Sequence, residues 1–235
     1  MERTRKQRSC GVFGLAGAVA ACAFGLCLAA PGLASANLVS DGSFDGTTAS
    51  QPFQTIYAGN TFGGWAVTSG SIDLINGYWL APGGNQSVDL AGNQQGSISQ
   101  SITLPVGTYD LMFDLSGNND GPPITKTVQV SLGTQSTSFN FTTAGTGPSP
   151  IPEPMTWVEE SWIVSLTTPG AVNLVFSDIS GGAGYPTPYG AVIANVSLSQ
   201  VAAMVPEPGT IISGALLAFP FGIGAFRIFR RNRNA

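Results

Sequence analysis

The chain carries few groups capable of proton chemistry. It has no histidine, which removes Ser-His-Asp and Cys-His nucleophile pairs, imidazole-ligated metals and the side chain most used to move protons near neutral pH. Its cysteines, Cys10, Cys22 and Cys27, all fall within the first 27 residues. Residues 37–204 hold eleven acids against one base, Lys126, a net charge of −10. A surface with no arginine and one lysine cannot neutralise a phosphate backbone, so nucleic acid is excluded as a partner. The carboxylates suit Ca²⁺, which takes oxygen ligands, or serve solubility alone. A glycosidase needs two carboxyl groups about 5–5.5 Å apart for retention or about 6.5–9.5 Å for inversion. Asp110 and Asp114 share a strand face but lie about 13 Å apart along it. Glu159 and Glu160 point to opposite faces of a strand. A pair drawn from different strands, such as Asp73 with Asp89, is left open.

Aromatic and amide side chains offer a different chemistry. Flat apolar rings stack on pyranose faces, and amides bond hydroxyl groups. Tyr78 and Trp79 adjoin Asn76 and Asn85, between Asn-Gly and Pro-Gly-Gly-Asn turn signals. These four form the candidate ligand-binding set, with Trp79 or Tyr78 as the stacking platform. Tyr185 and Tyr189 form a second aromatic loop. Trp65, Trp157 and Trp162 are expected in the core. Three Asn-x-Ser/Thr patterns, at Asn85, Asn140 and Asn195, are read as chance matches.

The elements that must position these groups are strands. In Gly107 to Leu115, Tyr109, Leu111, Phe113 and Leu115 alternate with Thr108, Asp110, Met112 and Asp114, the period-2 pattern of a half-buried strand. The same alternation marks residues 97–104 and 127–132. Further strands are expected at Ser71 to Ile75, Ser87 to Leu90, Gln135 to Phe141, Ser161 to Thr167, Ala171 to Phe176 and Ala191 to Ser199, the last with Val192, Val196 and Leu198 inward. Pro82-Gly83-Gly84-Asn85, Asn118 to Pro123 and Thr168-Pro169-Gly170 are strong breakers. Eight or nine short strands at such spacing predict one all-β antiparallel sandwich over residues 37–204.

The two ends read as addresses. Residues 1–36 have a basic start (Arg3 to Arg8), an apolar run and Ala34-Ser35-Ala36, the pattern of a cleavable signal peptide with Ala34 and Ala36 at the cleavage site. Removing it leaves a domain without cysteine. Val19-Ala20-Ala21-Cys22 suggests a lipobox, but the residues after Cys22 stay apolar, unlike a lipoprotein tether. At the other end, residues 205–208 precede an uncharged run of 18 residues, 209–226, then a basic tail, 227–235. As a helix the run is about 27 Å long, near the roughly 30 Å of a bilayer core. Arg227, Arg230, Arg231 and Arg233 would stop transfer and stay cytoplasmic. A single C-terminal transmembrane helix is expected, with the domain across the inner membrane.

Pro206-Glu207-Pro208, a short span and a terminal arginine cluster resemble the PEP-CTERM sorting signal of exopolysaccharide-producing bacteria. The resemblance implies an exosortase as partner, cutting near the tripeptide. Ile151-Pro152-Glu153-Pro154 repeats the tripeptide with no span after it and is read as a loop. The domain has its own resemblance. Asn37-Leu38-Val39-Ser40-Asp41-Gly42-Ser43-Phe44-Asp45, Gly64 to Val67, Ser71 to Ile75, Asn85 to Leu90, Tyr109 to Asn118 and Ala191 to Leu198 resemble, in order, the choice-of-anchor C or DUF642-like extracellular proteins. That likeness implies a galactose-binding-like jelly roll. It also implies a structural Ca²⁺, with Asp45 as a ligand, although Ala194 stands where the family usually has Asp.

The expectation is an exported, exosortase-processed surface or matrix protein that binds polysaccharide and is not an enzyme. The alternatives are a purely structural matrix protein and an extracellular carbohydrate-active enzyme.

Overall fold

A computed structural model describes residues 36–84, 86–144, 155–182 and 188–201. The chain divides into two units, Met1–Ala34 and Ser35–Ala235, and the described residues all belong to the second. The signal segment up to residue 35, Asn85, the Pro152-Glu153-Pro154 loop, Tyr185, and the sorting motif, span and basic tail lie outside the described residues.

Among the described residues twelve strands follow one another: β1 Phe53–Tyr57, β2 Thr61–Phe62, β3 Trp65–Ser69, β4 Ser71–Ile75, β5 Ser87–Asp89, β6 Ser97–Leu104, β7 Gly107–Gly117, β8 Thr125–Leu132, β9 Gln135–Thr142, β10 Val158–Leu166, β11 Gly170–Asp178 and β12 Ala191–Gln200. They form two six-stranded sheets, ordered β1-β4-β5-β12-β7-β10 and β2-β3-β6-β11-β8-β9. Every assigned pairing is antiparallel. Among the described residues no helix is long and apolar enough to cross a membrane. The nine expected strands are all present, within three residues at each end.

The sheets pack through their alternating apolar faces. Leu111, Phe113 and Leu115 of β7 and Ile72 and Leu74 of β4 meet Leu174 and Phe176 of β11 and Val128 and Val130 of β8 in one core. Phe113 and Phe176 touch edge to face across the sheets, with centroids 5.2 Å apart, a favoured aromatic geometry. Trp65 is fully buried against Phe44 and Phe176. Trp162 is only partly buried against this core, and Trp157 packs elsewhere.

β12 departs from a single face. Its pairing with β7 slips between Ala194 and Ser197, where Asn195 adopts φ 50°. This bulge reverses the alternation. Val196 and Leu198 join the main core, whereas Val192 turns to the opposite face, onto Ile75 and Trp79. The expectation that Val192 shares their face is therefore corrected.

The opening segment is bound to the closing strand. Leu38 N donates to Leu198 O, and Val196 N donates to Gly42 O. Asn37 Oδ1 accepts from Val39 N and Leu198 N, and its amide donates to Val196 O. Trp65 Nε1 donates to Asp41 O, which fixes the start of the chain to the core.

Candidate functional site

The outward face of the first sheet carries the polar residues left by the alternation. Because Ile72, Leu74 and Val88 face the core, Asp73 and Asp89 face away from it. The two are direct register partners on β4 and β5, and Thr55 of β1 is the partner of Asp73 on the other side. The Thr55 hydroxyl donates to Asp73 Oδ1 at 2.5 Å. This row lines a recess of about 210 Å³, walled by Phe53, Tyr78, Asn93, Asp120 and Tyr189.

Its aromatic wall is built edge on. Phe53, 40% exposed, meets Tyr78 in a T-shaped contact at 5.7 Å. Tyr78 meets Trp79 in another at 5.2 Å. The Tyr78 hydroxyl donates to Asp120 Oδ2 at 2.7 Å, while the other oxygen of that carboxylate is buried with no hydrogen-bond partner. Phe53 was not singled out in the sequence. The signal was present in its alternation: Phe53, Thr55 and Tyr57 share one face of β1 against buried Ile56.

Asp89 is fully buried and bonded throughout. Oδ2 accepts from Asn118 Nδ2 at 2.7 Å, and Oδ1 accepts from the amides of Ala91 (2.9 Å) and Gly190 (3.2 Å). Burial raises its carboxyl well above the usual range, against these bonds, and the nearby charges of Asp73 and Asp178 add to the rise. Burial also raises Asp73 and Asp178. The open question of an Asp73–Asp89 pair is thus answered in geometry: they are neighbours, but Asp89 is committed to holding backbone.

The candidate set from the sequence is divided. Tyr78 lines the recess. Trp79 does not serve as a stacking platform: it is 2% exposed, packs on Ile75 and Val192, and donates Nε1–H to Ser87 Oγ at 2.8 Å. The loop carrying it folds back onto the outer face of the sheet, so its ring covers apolar side chains that the sheet leaves there. Asn76 Nδ2 donates to Ala49 O at 2.8 Å. It lines a separate recess of about 400 Å³ with Asp45, Gln51, Leu80 and Gln86. Asp45 Oδ1 accepts from Gln86 N at 3.2 Å. Among the described residues no group of three acidic side chains is placed to hold a metal ion, and Ala194 is buried without a donor side chain, so the side-chain ligand set implied for Ca²⁺ at Asp45 is incomplete.

Residues 37–199 match the protein family described as "Protein of unknown function (DUF642)". The chain belongs to this family. The DUF642 domain is also similar to part of halomucin from Haloquadratum walsbyi, 36% identical over 89 residues, which is 35% of this chain and 1% of halomucin. Among solved structures, it is similar to the xylan-binding domain CBM22-1 of Paenibacillus barcinonensis Xyn10C, with 13% identity and a TM-score of 0.47, covering 72% of this chain and 97% of that one. It is likewise similar to TmCBM61 in complex with beta-1,4-galactotriose, with 19% identity and a TM-score of 0.36, covering 71% of this chain and all of that one.

Proposed function

We propose that this DUF642 domain is a non-catalytic polysaccharide-binding module of an exported protein, and that it holds sugar in the recess beside Phe53 and Tyr78. One observation carries this reading: an exposed aromatic corner adjoins amides and carboxylates within a single concavity. Apolar walls with a few convergent polar groups characterise small-molecule sites. The rings supply stacking surface, while Asn93, Asp73 and Asp120 supply acceptors and a donor for hydroxyls. The recess carries three carboxylates and no base, which favours neutral over acidic polymers. Asp73 and Asp89 are register partners on neighbouring strands, which brings the enzymatic alternative to this pair. Each oxygen of Asp89 already accepts hydrogen bonds from the fold, so it is not free to attack or protonate a glycosidic bond.

The signal peptide ending at Ala36, the PEP-CTERM-like tail and the exosortase belong to the same proposal and account for a domain that acts outside the cell. A panel of soluble galactan, xylan and alginate, followed by calorimetry on the purified protein, tests the binding. Affinity for a neutral polymer that falls on Phe53→Ala supports the reading. Binding of none of them, or of alginate alone, contradicts it. Release of reducing ends from a bound polymer would favour the enzymatic alternative.

A further inference from the structure

Lys126 is the one base of the domain, and it is fully buried at the start of β8. Its ammonium donates to two backbone carbonyls, Gly121 O and Tyr189 O, both at 2.8 Å. Those carbonyls belong to the two loops that wall the recess, one contributing Asp120 and the other Tyr189. The loops interlock at the same point. A Cβ on Gly121 would overlap the Tyr189 ring, and Lys126 Nζ lies 5.9 Å from the centre of that ring. From the other side, Asp89 holds the same loops through Asn118 Nδ2 and Gly190 N, and Asn118 N donates to Gly190 O. Burying an ammonium is costly unless it is well bonded, and a methionine or leucine would fill the space without that cost. The lysine is thus explained by the two carbonyls it joins.

We propose that Lys126 is a positioning residue of the recess, holding the Asp120 loop and the Tyr189 loop together in the arrangement that places their side chains at the ligand. This rests on the reading of the recess as a binding site, but the loop arrangement can be measured without a ligand. The groups facing Lys126 are Asp89 on β5, Asp178 on β11 and Asp120 in the first loop. Burial lowers its pKa to about 8 against the pull of these three carboxylates.

Amide hydrogen exchange on the full-length protein tests the inference. In Lys126→Met, the segments 118–124 and 188–191 should exchange about tenfold faster or more, the fold-change of a hydrogen bond to a charged group. Strands β6 and β11 should stay as protected as in the wild type. Gly121→Ala, which keeps the lysine but pushes on Tyr189, should loosen the same two segments. If Lys126→Met does not fold, the wild type alone decides. Between pH 7 and 9.5, after correction for intrinsic exchange rates, the two segments should gain protection, because opening them exposes a lysine whose pKa in the closed arrangement is about 8 and neutralising it removes the cost of burying it there. Unchanged protection in both loops, or a loss spread evenly through β6 and β11, would overturn the proposal. Where the wild type binds galactan or xylan, Lys126→Met should weaken that binding. If it binds neither, the polysaccharide reading falls while the exchange result still decides the role of Lys126.

Discussion

Phe53 and Trp79 show how a ring's surroundings determine its role. Phe53→Ala removes an exposed face, so a bound neutral glycan should be held about fivefold more weakly, corresponding to about 1 kcal/mol for an aromatic contact. The urea midpoint should barely move. Trp79→Ala empties a buried site and leaves Ser87 Oγ without its indole donor, so it should cost about 3–5 kcal/mol of stability, read by urea denaturation. The sequence marked Trp79 because Gly and Pro flank it, and flanking turns do not reveal whether a loop lies over a sheet. Lys126 was equally hard to place, because a lone lysine in a Thr-Lys-Thr-Val context reads as a solvated strand residue. Its burial depends on a loop far along the chain, since Tyr189 lies 63 residues beyond it. The acids give a pH signature. Asp73, Asp89 and Asp178 titrate above the carboxylate value of 3.8 when folded, so their stabilising contribution is complete below that pH. It is lost as pH rises through the folded values. Lys126 acts in another window. Its folded pKa of about 8 lies below the 10.5 of an ordinary lysine, so its burial penalises the fold below pH 8 and the penalty disappears between 8 and 10.5. The urea midpoint should fall from pH 4 towards neutrality and partly recover above pH 8; a midpoint rising steadily from pH 4 to 7 would contradict this.

Strands were legible where one face is apolar for four or more alternations, as in β7. Strands β1 to β3 were not, because they are two to five residues long and lie at the start of their sheets, with Gln, Thr and Ser among them. The bulge in β12 was also hidden, since Val192, Val196 and Leu198 fit a single alternation on paper. It takes the register with β7 to reveal that the chain gains a residue at Asn195. Asn195 suits that place: its amide donates to Asp114 Oδ2 at 2.7 Å and to Pro82 O at 3.0 Å, and asparagine tolerates the left-handed region better than most residues. The Asn37 to Asp45 opening is bonded to β12 through Asn37, Leu38 and Gly42 and to other strands and loops through Ser40, Asp41 and Asp45. Gly42 lies so close to Val196 O that a Cβ would overlap it. Gly42→Ala should therefore cost about 1–3 kcal/mol, as crowding of a packed site does, with the loss read as a lower thermal midpoint. The second recess, which Asp45 lines, should keep its own residues in place, because the affected bonds lie at the β12 side.

At the scale of the whole chain, the proposal sets an acidic sandwich between a signal peptide and a sorting tail. Intact-mass measurement of the surface fraction should find a product beginning near Asn37 and ending near Val205. A mature protein that keeps Arg227 to Ala235 would instead make the tail a permanent anchor. The sandwich was predictable because turn chemistry and alternation agree over most of its length. The recess was not, because it collects Phe53, Asp73, Asp89, Asp120 and Tyr189 from five stretches that only the sheet order brings together. The bond between Leu38 and Leu198 has a mechanical consequence. The segment from Asn37 runs antiparallel to β12, so the chain enters and leaves the sandwich side by side. Tension applied between Asn37 and Val201 would load these hydrogen bonds in sequence, not together, and the domain would open like a zipper at low force. A domain held only through its C-terminal end carries no such load, because the pull bypasses the fold.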